Sequence, residues 1–152
     1  MKTPHLMALV MAWAWAITAF AQSFEPEIER DYASHLESLF DDFHRHPELS
    51  LVEHRTASRL AAEWRRAGFE VTEGVGGTGV VALLRNGDGP MVMMRTDMDA
   101  LPIEEKSGLP YASTVTQTDP ITGLVVPVMH ACGHDVHMTS LVGTADWMAR
   151  HR

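Results

Sequence analysis

A single cysteine stands in this chain of 152 residues, so no internal disulfide can staple it. Stability has to come from a buried apolar core. With 45% apolar and 21% charged side chains, the chain is long enough for one domain with such a core, and the composition argues against disorder. Basic residues are few: 12 Lys plus Arg stand against 20 Asp plus Glu, for a net charge of −8, with no basic run. Phosphate binding needs clustered cations, so nucleic acid is a poor partner. The uncharged apolar stretch Leu6–Phe20 has 15 residues, short of the roughly 20 that a bilayer-spanning helix needs. Internal repeats and low-complexity tracts are absent as well, which leaves an ordinary globular reading.

The N-terminal stretch reads as a processing signal. Lys2 supplies a positive charge, Leu6–Phe20 the apolar segment, and Ala19-Phe20-Ala21 a small-x-small site before Gln22. The expectation is a secretory signal peptide over residues 1–21, cleaved after Ala21, with an uncleaved membrane anchor as the alternative. The mature chain, residues 22–152, would then be periplasmic or secreted, near −9 in charge, with no stable membrane insertion. A lone thiol in an oxidising compartment is a liability unless it is buried or held by a metal, which directs attention to Cys132.

Hydrophobic periodicity predicts a helix over Glu25–Phe43, with Ile28, Tyr32, Leu36, Leu39, Phe40 and Phe43 on one stripe and Pro26 in the first turn. Pro47 ends it. Ser50-Leu51-Val52-Glu53 fits a capping box for a second helix that buries Val52, Thr56, Leu60, Ala61 and Trp64 and stops at Gly68. Extended segments follow at Glu70–Glu73 and Val80–Leu84. Asn86-Gly87-Asp88-Gly89 reads as a hairpin turn into Met91–Arg95. Met91-Val92-Met93-Met94 is apolar on both faces, as in a central strand. Arg95, Thr96, Asp97 and Asp99 come at its C-terminal end, where sites sit in open α/β sheets. Residues 100–124 read as a long excursion with room for a small hairpin, Val125–Met129 as extended, and Val136–Arg150 as a helix burying Leu141, Val142, Ala145, Met148 and Ala149.

Three segments carry chemistry. His130-Ala131-Cys132-Gly133-His134-Asp135-Val136-His137 packs three imidazoles, one thiol and one carboxylate into eight positions. These are ligand types for zinc and other divalent transition metals. Gly133 permits a tight turn that lets Cys132 and His134 face one centre. Asp135 can hold an imidazole N–H and fix its tautomer, and His137 lies one helical turn past His134. The alternative is an inert cysteine among chance histidines. In Arg95-Thr96-Asp97-Met98-Asp99-Ala100-Leu101-Pro102-Ile103, two carboxylates two apart at a strand end can project together, one of them orienting a metal-bound histidine; turn or capping aspartates are the alternative. His44-Arg45-His46-Pro47-Glu48-Leu49-Ser50, taken alone, reads as an interhelix turn with capping.

Taken in this order, and with Glu53, the three segments resemble a branch of the co-catalytic metallopeptidases that holds hippurate hydrolases, N-acyl-amino-acid amidohydrolases and auxin-conjugate hydrolases. The resemblance runs from about Phe43 to Thr139. It implies an α/β, aminopeptidase-like (phosphorylase/hydrolase-like) three-layer catalytic domain, incomplete in this chain. Cys132 and His134 match two ligands of a paired divalent metal centre, with manganese, zinc, cobalt or nickel as candidates. Asp97 matches the catalytic-support aspartate. Asp99, Asp135 and His137 match positions near the site, and His44 and His46 are not carried over as ligands. The implied reaction is metal-assisted hydrolysis of an N-acyl amino acid or small peptide, in which the cation acidifies water and polarises the carbonyl while a glutamate moves the proton.

In the family that glutamate, the further ligands and a lid and dimerisation domain lie later in the sequence. The resemblance therefore implies half a site, little or no turnover from these 152 residues, and a homodimer only with the further domain. Two other readings remain open: a non-catalytic metal- or ligand-binding module, and a truncated product that folds poorly.

Overall fold

The computed structural model describes residues 24–152; the expected signal peptide lies outside the described residues. Two units divide at His35 and Leu36, and all the candidate site residues lie in the second. In the first, Glu25–Asp31 forms helix α1 with Pro26 in its opening turn, where a missing N–H costs nothing. Tyr32–Leu36 is a π-helical turn, and Glu37–Arg45 is helix α2. A π turn inserts an extra residue, and each residue rotates a helix by about 100°. The expected stripe therefore loses phase there. Leu36, Leu39 and Phe43 are buried, while Ile28 and Tyr32 remain exposed.

Helix α3 spans His54–Arg66. The capping box does not form. Ser50 lies in a turn and Glu53 makes no side-chain cap. The helix start is closed instead by Glu48, whose carboxylate accepts the backbone N–H groups of Arg55 (3.0 Å) and Thr56 (2.7 Å). Glu53 is buried and accepts from the Thr78 hydroxyl at 2.6 Å. Gly68 ends the helical region at φ 89°, a left-handed conformation that glycine adopts without strain.

Strands β1 (Glu70–Val75) and β2 (Gly79–Leu83) pair antiparallel, from Glu70 opposite Leu83 to Val75 opposite Gly79, with an irregularity between Glu73 and Val75. The glycine-rich link is thus a hairpin. A Cβ on Gly79 would lie 2.3 Å from the Val75 carbonyl oxygen, so glycine is required there. The hairpin expected at Asn86–Gly89 and the central strand at Met91–Arg95 are absent. Met91, Val92 and Met93 are 79–85% exposed. A segment apolar on both faces is a stable strand only when neighbours cover it, and no described strand runs alongside.

Residues 116–127 make the small hairpin, β3 (Thr116–Thr118) against β4 (Val125–Pro127). Backbone bridges from Leu49 to Ala100 and from Leu101 to Met129 draw the first, second and third motif segments side by side. Helix α4 (His134–Arg150) closes the chain. Its buried line is Met138, Thr139, Val142 and Ala145, whereas Met148 is exposed.

One core joins Leu36, Leu39 and Phe43 to Leu60 and Trp64 of α3 and to Met138, Val142 and Ala145 of α4, with Val71, Val80, Ala82 and Met98 against it. Each fully buried large side chain contributes about 1.5–3 kcal/mol by leaving water. Gly143 lets the Leu36 side chain approach α4, since a Cβ there would sit 2.7 Å from Leu36 Cδ1. The α/β architecture is therefore a helical core with two short antiparallel sheets, and the full three-layer arrangement is not built among the described residues.

Candidate metal centre

The candidate centre lies at the N-terminus of α4. Met129 bonds to Leu101 in both directions, at 2.9 and 3.1 Å, and so delivers the polar turn beside Asp97 and Asp99. Gly133, at φ 74°, is the N-cap of α4 and turns the chain between Cys132 and His134. The Cys132 thiol is exposed.

His134 is oriented by the second motif. Its Nδ1 lies 2.8 Å from the backbone oxygen of Asp99 and 3.2 Å from that residue's Oδ1. Both are acceptors, so Nδ1 carries a proton and Nε2 is the ring nitrogen turned away from Asp99. Nε2 lies 3.9 Å from Asp97 Oδ2, and the other Asp97 oxygen pairs with the Arg95 guanidinium. His137 is exposed, with its ring 5.8 Å from that of His134.

Asp135 is buried and does not serve His134. Its Oδ2 binds His44 Nδ1 at 2.6 Å, 91 residues away, and its Oδ1 accepts the Val136 N–H. The other nitrogen of His44 meets Glu105 Oε1 at 3.1 Å. Burial works against a charge on His44, but hydrogen bonds to Asp135 and Glu105 outweigh it and raise the imidazole above its ordinary value. Burial likewise works against the Glu105 carboxylate, yet bonds from Ser107, the Ser113 N–H and His44 hold it below its usual range. His46 instead faces the Asp42 carbonyl at 2.8 Å on the surface.

His130 is buried, and neither ring nitrogen has a protein partner. Burial lowers its pKa, against the opposing pull of Asp135. Sequence reasoning passed over Glu105 entirely, because it sits in a Pro- and Ser-rich excursion 61 residues from His44 with no local signal. His44 stands in the sequence as a turn residue of the first motif segment, which the resemblance places near the site without a ligand role.

The donor set fits a soft divalent cation. A histidine with Nδ1 bonded to Asp99, an exposed thiol two positions before it, and a carboxylate 3.9 Å from its second nitrogen are ligand types that such ions take. Among the described residues, no group of three or more such side chains is already gathered around one point.

Residues 93–152 match the model of Peptidase family M20/M25/M40. The match contains Asp97, Asp99, Cys132, His134, Asp135 and His137. The chain belongs to this family. A probable hydrolase of Synechocystis sp. is 48% identical over 104 residues, covering 67% of this chain and 24% of its relative. The hippurate hydrolase of Campylobacter jejuni is 40% identical over 125 residues, covering 82% of this chain and 30% of the enzyme.

Among solved structures, the Bacillus subtilis YXEP protein, a dinuclear metal binding peptidase, superposes with a TM-score of 0.68 at 35% identity, over 81% of this chain and 32% of that one. The chain thus spans a quarter to a third of the length of these family members. Its helices and strands belong to the family's fold, as one part of it.

Proposed function

We propose that this chain forms part of the metal centre of an exported amidohydrolase that cleaves the amide bond of N-acyl amino acids or small peptides. The observation that carries the reading is His134: Nδ1 is committed to Asp99, and the other ring nitrogen, Nε2, stands beside Asp97. Cys132 and His134 would hold divalent metal, two ions in the complete site. When bound, the ions supply Lewis acidity toward the scissile carbonyl and toward water.

The chain's own residues do the positioning. Asp99 holds the imidazole in one tautomer. Asp97 places a carboxylate beside the second ring nitrogen, and Arg95 holds that carboxylate in place. The family relatives named hippurate hydrolase and N-acetylcysteine deacetylase support an N-acyl amino acid as the substrate class. Lys2, the apolar run to Phe20 and the Ala19–Ala21 site support export, which N-terminal sequencing of the mature protein at Gln22 would test.

The test of function is metal content followed by hydrolysis of a hippurate-type substrate with manganese, cobalt or zinc. The 152-residue chain is expected to bind metal with little or no turnover, because among the described residues no group of three or more ligand side chains is gathered at the centre. Full turnover from these residues alone would overturn the half-site reading, and a chain that takes up no transition metal would overturn the whole.

A further inference from the structure

Outside the metal donors lies a buried polar chain that the proposed reaction does not use. It runs from Ser113 to Glu105, His44 and Asp135. Glu105 accepts the Ser113 N–H at 2.6 Å and bonds to His44 Nε2; His44 Nδ1 bonds to Asp135. The Ser113 hydroxyl donates to the Val128 carbonyl at 2.7 Å. Carboxylates only accept, so both nitrogens of His44 must donate. The ring is therefore an imidazolium, seated edge-on to Tyr111 at 5.2 Å.

This chain grips the metal turn from both sides. Val128 precedes the turn and is tied through Ser113. Asp135 follows it and is tied through His44. Between them, Gly133 at φ 74° has no atom within 4 Å of where a Cβ would be, so nothing packs on the pivot itself. The direction of Cys132 and His134 is then set by the two ends of the segment and by the Asp99 contact.

We infer that His44 is a positioning residue for the metal centre: through Nδ1 it holds Asp135, and with it the start of α4, so that the Cys132 thiol and the His134 imidazole face one cation. The inference rests on the metal reading above. A direct hydrogen-bond partner of a metal ligand typically costs about 10–100-fold in metal affinity when removed, and His44 stands one contact further out, which sets the expected loss at the lower end, about tenfold. A bond that served packing alone would contribute to stability and leave affinity untouched.

The two nitrogens can be separated. An Asn amide nitrogen falls near Nδ1 of the histidine it replaces, and a Gln amide nitrogen near Nε2. His44→Asn therefore keeps the donor to Asp135, and His44→Gln keeps only the donor to Glu105. Cobalt(II) is titrated into the 152-residue chain and followed by its thiolate charge-transfer absorption, with thermal midpoints from circular dichroism.

His44→Asn is expected to bind cobalt within about threefold of the parent, and His44→Gln to bind about tenfold more weakly, although both lose stability. Equal affinities in the two variants would overturn the inference. If His44→Gln does not fold, Asp135→Asn takes its place, and an unchanged affinity there would overturn it equally. Absence of the band in the parent, or its persistence in Cys132→Ser, would instead overturn the metal reading beneath it.

Discussion

The Nδ1 of His134 rests 2.8 Å from the backbone oxygen of Asp99, 35 residues earlier in the chain. Because the closer acceptor is main-chain, the side chain of Asp99 is only an auxiliary partner, at 3.2 Å. Asp99→Ala should keep the tautomer and reduce cobalt affinity by no more than about tenfold. His134→Ala should remove the imidazole donor and lose binding by a larger factor. Isothermal titration of the two variants side by side checks the order, and equal losses would contradict it.

The His44 bridge should make stability depend on pH in two directions. His44 is more basic folded than unfolded, so its contribution is complete below about 6.5 and is lost as pH rises through the raised folded value. Glu105 is more acidic folded than unfolded, so its contribution is present above about 4.5 and is lost as pH falls through the lowered value. Urea unfolding from pH 4 to 9 should show a plateau between these limits. In His44→Gln the alkaline decline should shrink, and an unchanged decline would assign it to another group.

The start of α3 offers a direct comparison of two capping schemes. Glu48 accepts two helix N–H groups, while Ser50 caps nothing. Glu48→Ala should cost about 1 kcal/mol, within the 0.5–2 kcal/mol range for lost caps, and Ser50→Ala nearly nothing. Denaturant midpoints decide between them.

The buried His130 should behave in the opposite way. Its two ring nitrogens have no protein partner, and an unsatisfied buried polar group costs about 1–3 kcal/mol. His130→Leu is therefore expected to unfold at a higher temperature than the parent. A drop of several degrees would mean that the ring is bonded in solution.

Much of this was legible from residue pattern. The helices over 54–66 and 134–150, the extended pieces at 70–75 and 79–83, and the gathering of polar residues around Asp97 and His134 follow from periodicity and composition, because each is set by neighbours within a few positions. What could not be read was non-local. The partner of Asp135 is a histidine 91 residues back, and the cap of α3 comes from before the turn rather than within it. Met91–Met94 has the composition of a central strand, but composition cannot state whether a neighbour is there to pair with it. The π turn at Tyr32–Leu36 likewise leaves no local mark in the sequence.

The bare segment at Met91–Met94 has a cost of its own. Four consecutive apolar residues with unpaired backbone groups can template the same segment of another molecule, and strand-to-strand accretion grows with concentration. Once the more reactive Cys132 thiol is spent, thioethers open to solvent are the next atoms that peroxide reaches, and each sulfoxide turns a greasy position into a wet one. In Cys132→Ser, storage under peroxide should therefore make preparations progressively more soluble, while concentrated reducing stocks cloud.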